Sequence, residues 1–281
     1  MSGDAPLATL RFPTVGGEQP ATLYPAVGEC RALALVLPAL GLRAGYYGEL
    51  ARALSDGGVA TVPLDFPGHG QSPVRAGRDH DWGYRELVEH TLAAREAAVA
   101  AVPGVPVLAV GHSIGGQVAL LAAGLAPDAF RGVALIASGS PHWRAFPGAT
   151  GWGIRAAGWV APSLSSLVGH FPGETVRFGG REARRLMTEW ASLARTGAYT
   201  FPGFDGEAAL AAVRAPVLAV RVEGDELAPE AAMEDTLQKL VGAPVERRAW
   251  TGLPPENVHN RWPRTTDPAA AYVRALLSRV A

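Results

Sequence analysis

The hydrophobic positions of this chain gather into short runs separated by longer, intermittently apolar stretches. Residues 31–37 (RALALVL), 59–64 (VATVPL), 106–110 (PVLAV), 132–137 (GVALIA), 216–222 (PVLAVRV) and 244–250 (PVERRAW) have strand length, and most are nearly free of polar positions. Unbroken apolar runs suit strands covered on both faces, whereas a half-exposed strand alternates. Helical spacing lies between them. Residues 46–54 place Leu50, Ala53 and Leu54 on one side and end at Gly57-Gly58, and residues 84–101 stop at Pro103-Gly104. Residues 117–125, 230–241 and 267–280 complete the helical set. Ahead of all these, 7–13 and 21–26 alternate around Gly16-Gly17, as hairpin strands do. The succession predicts an α/β fold: a mostly parallel sheet, helices on both faces and right-handed crossovers.

Between 139 and 214 this alternation stops. The region carries Pro141, Pro147, Pro162, Pro172 and Pro202, many glycines, and one clear amphipathic helix over 181–193, with Leu186 and Trp190 on its inward face. Residues 140–213 are therefore expected to be a helical cap inserted into a core made of 1–139 and 214–281. Residues 141–205 hold 10 of the 21 aromatics, about twice an even share. Such a region either roofs an apolar pocket or uses the aromatics for its own small core. Its glycines and prolines are candidate hinges.

Composition narrows the classes. Of 281 residues 18% are charged and 48% hydrophobic, with 34 glycines and 23 prolines, which describes a loop-rich globular chain. The formal net charge is −1, and the basic residues are scattered singly, so neither a nucleic-acid partner nor a polybasic membrane segment is expected. One cysteine, Cys30, excludes an intrachain disulfide and gives no metal cluster. The start, MSGDAPLATLRF, lacks a basic and then apolar leader pattern, and no uncharged apolar run reaches about 18 residues. The expected compartment is the cytoplasm, without a membrane partner.

The chemistry centres on Gly111-His112-Ser113-Ile114-Gly115, set between the apolar run at 106–110 and the helix at 117–125. A serine on a tight turn from buried strand to buried helix is the geometry of a nucleophile elbow, and the flanking glycines leave room for the turn. A serine hydroxyl needs a base, and the base needs an orienting carboxylate. Downstream of Ser113 stand His142, His170 and His259. His259, in the loop between the last strand and the last helix, suits the base; His142 and His170 fall in the insertion. Asp225 follows the strand at 216–222 and precedes Pro229, and is the favoured acid, with Glu223, Glu226 and Asp205 as competitors. A tetrahedral intermediate needs two backbone N–H donors. Ile114 is one; Leu40, with Ala39 as second choice, is the other, because Pro38 has no N–H.

The elbow GHSIGG, the loop DFPGHGQS at 65–72, EGDELAP and the late histidine, in that order, resemble the α/β-hydrolase superfamily over nearly the whole chain. The resemblance implies an eight-stranded sheet, a cap over the site and a Ser113–Asp225–His259 triad. A finer likeness is to a group of bacterial predicted α/β hydrolases, through Pro38-Ala39, GHSIGGQ, SPHWRAFPG around Trp143 and APVLAVRVEGDELAPE. Two departures stand out. The usual His-Gly of the oxyanion loop is Pro38-Ala39, and the histidine's usual glycine-led context is Asn257-Val258-His259-Asn260. Asp65, Gly68, His69 and Gly70 are expected to shape a structural loop beside the site. The expected partner is a small ester or thioester with an apolar acyl or alcohol part, met by Ala39, His112, Trp143, Phe146 and Trp190, without cofactor or metal. A serine at 113 argues against epoxide hydrolase and haloalkane dehalogenase chemistry, which needs a carboxylate nucleophile. An acyltransferase, a cyclase or a chain-release thioesterase on the same scaffold, and a non-catalytic ligand-binding protein, remain alternatives.

Overall fold

The computed structural model describes residues 7–280; residues 1–6, where the start read above for a leader begins, lie outside the described residues. The chain opens with hairpin strands β1 (Ala8–Thr14) and β2 (Gly17–Leu23), then β3 (Ala32–Leu37), α1 (Gly48–Asp56), β4 (Val59–Pro63), α2 (Tyr84–Ala101), β5 (Val107–His112), α3 (Ile114–Leu125) and β6 (Gly132–Ile136). A helical stretch follows: α4 (Gly148–Val168), β7 (Phe171–Pro172), α5 (Gly173–Val176), β8 (Arg181–Glu182), α6 (Arg184–Thr196), β9 (Thr200–Phe201), β10 (Phe204–Asp205) and α7 (Gly206–Ala212). The chain closes with β11 (Val217–Val222), α8 (Glu230–Leu237), β12 (Val245–Trp250), α9 (Val258–Arg261) and α10 (Thr266–Val280).

Six strands form one sheet in the order β12-β11-β6-β5-β3-β4, with every neighbouring pair parallel. Along β3, Leu33, Leu35 and Leu37 pack with Leu87 and Val88 of α2 and Val118 and Leu121 of α3. The alternate residues Ala32, Ala34 and Val36 pack with Leu50 and Leu54 of α1 and Val273 and Leu276 of α10. Both faces are covered, which is why the strand sequences read as continuous apolar runs.

The sheet has six strands where eight were expected. β1 and β2 pair with each other, and the chain joins the central sheet by one bridge: Tyr24 N donates to Thr61 O and Thr61 N to Tyr24 O, both at 2.8 Å. The helix expected at 181–193 runs from Arg184 to Thr196, because Arg181 and Glu182 pair with Phe171 and Pro172 and Gly197, in the left-handed region at φ +72°, ends it. Among the described residues no helix is long and apolar enough to cross a membrane.

The 21-residue α4 has no counterpart in the sequence reading. Its four glycines and internal Pro162 disguise it as loop. Proline removes the N–H that would bond the carbonyl four residues earlier. That carbonyl belongs to Gly158, and Arg195 of α6 donates its Nη1 to it instead. Gly158 also lets the helices approach: a Cβ there would lie 3.2 Å from Ala191 O. The Arg195 guanidinium stacks 4.4 Å over Trp159. Substituting Arg195→Met keeps the aliphatic stem and removes the donor. It is expected to weaken α4 by about 1–3 kcal/mol, the cost of an orphaned buried acceptor. Amide hydrogen exchange across Gly148–Val168 should quicken more than exchange in the six-stranded sheet; equal protection in both proteins would refute the account.

Candidate active site

At the end of β5 the backbone of Ser113 takes φ 54° and ψ −123°, a conformation that costs a side-chain-bearing residue about 1–3 kcal/mol. It persists because the surroundings admit no alternative. A Cβ at Gly111 would lie 2.6 Å from Gly115 O, and one at Gly115 would lie 2.6 Å from Pro38 O. The elbow is therefore pressed between β3 and the start of α3. Ser138, just past β6, donates its Oγ to Ser113 O at 2.6 Å and fixes the turn from the other side.

The acid and base follow the two strands beyond β6, β11 and β12. Asp225 lies in the turn after β11; its Oδ1 accepts from Leu227 N at 2.9 Å and Ala228 N at 3.1 Å, and its Oδ2 meets His259 Nδ1 at 2.8 Å. Both oxygens are engaged, so the carboxylate cannot rotate away from the imidazole. His259 sits on the one-turn helix α9, entered through Asn257 in the left-handed region at φ 51°. Both residues are buried. With Nδ1 facing a carboxylate, the ring presents Nε2 as the atom able to take a proton. No hydrogen bond joins Ser113 Oγ to His259 among the described residues; the two residues share one cavity wall.

The competing acids do other things. Asp205 caps α7 by accepting from Ala208 N at 3.0 Å, Glu223 is exposed, and Glu226 stands on the cavity lining. His142 pairs with Asp235, at 3.4 Å, and His170 is half-buried away from the cavity.

On the side of β3, the Ala39 N–H is committed to the Tyr47 hydroxyl at 2.9 Å, which removes Ala39 from the oxyanion candidates and leaves Leu40. Tyr47 also meets His112 Nδ1 at 2.8 Å. Burial pushes the Tyr47 phenol well above its usual range, so it keeps its proton and donates it to His112. Burial, and then the neighbouring His259, hold His112 well below the ordinary histidine value, so that imidazole is neutral. Its ring centroid lies 5.0 Å from that of His259 and 5.1 Å from that of Trp262.

These sites open on a cavity of about 570 Å³. Ala39, Leu40, Ser113, Ile114 and His259 form its floor, and Phe146, Ile154, Ala157, Val160, Ala161, Leu164 and Trp190 are among its apolar walls. Two expected substrate contacts need correction. His112 is fully buried behind the elbow, on the Tyr47 side, and does not reach the cavity. Trp143 is also absent from the lining: it stacks on Trp152 at 5.0 Å, with Arg144 and Arg155 over its ring at 5.3 and 5.0 Å. Residues that the sequence reading did not single out take their place. Gln117 lines the cavity while accepting from Tyr84 OH and donating to Gly139 O, each at 2.7 Å. Tyr47 could have been noticed only as one more aromatic on a helical face. Among the described residues no group of three or more His, Cys, Asp or Glu is arranged to hold a metal ion.

The family described as serine aminopeptidase, S33, matches residues 28–192, more than half of the chain. Monoglyceride lipase from Homo sapiens is 35% identical over 144 residues, which are 49% of this chain and 45% of that protein. The chain thus spans less than half the length of the curated relatives it matches. Among solved structures, a soluble variant of monoglyceride lipase from Saccharomyces cerevisiae, in complex with a substrate analog, superposes with a TM-score of 0.71 at 12% identity, covering 100% of this chain and 98% of that one. A highly thermostable carboxyl esterase from Bacillus coagulans gives 0.69 at 14% identity, covering 97% and 99%. A parallel sheet with helices on both faces, an elbow at the end of β5 and a family match across residues 28–192 agree with one another: the protein is an α/β hydrolase of the serine aminopeptidase S33 family.

Proposed function

We propose that this protein is a serine hydrolase that cleaves esters with an apolar acyl part through an acyl-enzyme on Ser113. The observation that carries this reading is the buried Asp225–His259 pair facing the same apolar cavity as the elbow serine. In the proposed reaction Ser113 Oγ attacks the ester carbonyl as its proton passes to His259 Nε2. The carbonyl oxygen becomes the oxyanion of a tetrahedral adduct, received by the N–H groups of Ile114, at the free end of α3, and Leu40. The adduct collapses, the C–O bond to the alcohol breaks, and the alcohol leaves with the proton from His259. A water then attacks the acyl-enzyme by the same route in reverse. Asp225 holds the imidazole in the required tautomer and stabilises it once charged.

Residues 140–213 act, in this reading, as a cap on a core formed by 1–139 and 214–281, and supply the apolar walls. The likeness to a monoglyceride lipase and a carboxyl esterase supports an oxygen ester. The mostly aliphatic and aromatic walls of the cavity support an uncharged acyl part of some bulk.

A fluorophosphonate probe is expected to form one adduct, at Ser113, and none on Ser113→Ala. Rates on p-nitrophenyl esters should rise from acetyl toward longer acyl chains; a maximum for charged or very short acyl groups would sink the substrate assignment. Asp225→Asn should lower kcat by about 10²–10⁴-fold with the fold intact, while Glu223→Gln stays near the parent rate; the reverse pattern would move the acid to Glu223. Tyr47→Phe leaves the Ala39 N–H and His112 Nδ1 without their partner. It should cost about 1–3 kcal/mol in urea unfolding and lower kcat more than it raises KM. Unaltered stability and turnover would mean that the hydroxyl holds nothing in place.

A further inference from the structure

The loop at 65–72 was expected to be structural, and its Asp65 is tied down as such: Oδ1 accepts from Ala44 N at 2.7 Å and Oδ2 from Gln71 N at 3.0 Å. His69 of the same loop points elsewhere. Its Nε2 meets Glu182 Oε2 at 3.0 Å, with both side chains largely withdrawn from solvent. A charged pair is rarely buried so far without further partners. Here the second carboxylate oxygen, Oε1, accepts from Gly180 N at 2.7 Å. Glu182 thus grips at once the core histidine and the Gly179-Gly180 turn of the inserted segment.

That turn lies directly on the loop after β3. A Cβ at Gly41 would sit 2.6 Å from both Gly179 C and Gly180 N, and one at Gly179 would sit 2.7 Å from Leu40 Cδ2. Backbone meets backbone with no side chain between. Leu40 and Gly179 both line the cavity. Nearby, Arg181 Nε donates to Ala76 O at 2.7 Å, and Gly173 N to Gly180 O at 2.8 Å, so the turn is braced on both flanks.

We infer that His69 and Glu182 are positioning residues for the oxyanion hole: their buried ion pair presses the Gly179-Gly180 turn onto Leu40-Gly41 and so fixes the direction of the Leu40 N–H. This role rests on the hydrolase reading above. It assigns His69 no proton transfer and no contact with substrate. It gives a role to a histidine in the loop, since a protonated imidazole both donates to and neutralises a carboxylate 98% withdrawn from solvent.

The pair is sensitive to pH. The charged and titratable groups facing His69 are Glu182, Asp65 and Arg75. Burial lowers the imidazole's proton affinity, but the hydrogen bond and charge of Glu182, helped by Asp65 and opposed by Arg75, raise it above the ordinary histidine value. A raised value means that the pair carries its full charge at low pH and loses it as pH climbs through that value, the neutral ring keeping only a hydrogen bond from Nε2. The base His259 must by contrast be deprotonated to act.

The test is Glu182→Gln, which keeps the shape and an acceptor for Gly180 N while removing the charge. Expected is a fall in kcat of about tenfold, in line with a small misdirection of one oxyanion donor, with KM nearly unchanged. The inhibition constant of an alkyl trifluoromethyl ketone, whose adduct carries the oxyanion, should weaken by the same factor as kcat. The alkaline decline of the parent kcat should vanish from the variant. His69→Gln should repeat the loss, and the double variant should be no worse than either single one. Unchanged kcat and ketone affinity in both single variants would overturn the role, as would a loss that follows the melting temperature and spares the kcat-to-KM split. If the fluorophosphonate fails to label Ser113 of the parent protein, the hydrolase reading itself falls, and this role with it.

Discussion

The site depends on a backbone that is held where it would not go by itself. Ser113 occupies a positive φ that only glycine adopts cheaply, and it is kept there by the close approach of β3 and α3 at Gly111 and Gly115. This compression has a topological source. β5 lies between β3 on one side and β6 on the other, so the loops leaving those strands in opposite directions must part around its end. The gap they leave is the crevice into which Ser113 projects. Pro38-Ala39-Leu40 comes from one side and Ser138-Gly139 from the other, and the strands beyond β6 deliver Asp225 and then His259. The order of strands thus distributes the groups of the site before any side chain is considered.

Side chains then solve an electrostatic problem. Two imidazoles lie 5.0 Å apart, centre to centre, and in the proposed reaction one of them becomes cationic. A second positive ring so near would oppose that step. His112 is prevented from charging by complete burial and by a phenol that supplies the proton its Nδ1 requires. The same phenol takes up the Ala39 N–H. One hydroxyl therefore settles the state of the histidine behind the nucleophile and the orientation of the loop beside it. His259 differs because its Nδ1 faces a carboxylate, not a phenol. The two rings have the same chemistry and are separated by burial and by their partners.

How much of this could be read from the chain differs by the kind of information needed. The core strands were legible because burial on both faces writes an apolar run into each of them, and the glycines of the elbow were legible because no other residue fits there. The positions of Ser113, Asp225 and His259 after β5, β11 and β12 follow from order. Contacts across the sheet were not legible. His112 lies next to Ser113 in sequence, yet alternation along a strand sends neighbouring side chains to opposite faces, and it points away from the cavity. Trp143 sits in a motif rich in aromatics, and its ring is satisfied by Trp152 and two arginines rather than by the pocket. α4 was hidden because its coherence comes from a distant arginine replacing the hydrogen bond that Pro162 removes. Likewise the hairpin is tied to the central sheet by a single bridge at Tyr24, which no local pattern distinguishes from a continuing strand.

The segment over 140–213 is attached to the rest of the molecule in two different ways, and the difference matters for what each part can do. α6 is bound into the start of α2: Arg185 N donates to Asp81 Oδ1 at 2.9 Å, Leu186 N to Trp82 O at 2.8 Å, and Glu189 Oε2 accepts from Tyr84 N at 2.7 Å. The Gly179-Gly180 turn is set against Leu40-Gly41 with no room for a side chain. These are polar and backbone contacts with narrow geometric tolerance, and Gly179 of the turn lines the same cavity as Ser113. α4 has few such ties. It leans on α6 through Gly158 and Arg195, and its far end is held by Arg78 donating to Leu167 O at 2.9 Å. Its cavity face is built from Ile154, Ala157, Val160, Ala161 and Leu164, and a Cβ at Gly153 would meet nothing within 4 Å. Apolar walls tolerate a change of volume or shape far better than a hydrogen-bonded turn does. In the proposed reaction, the room left for the acyl group is therefore set by a wall that can vary without moving the backbone that would receive the oxyanion.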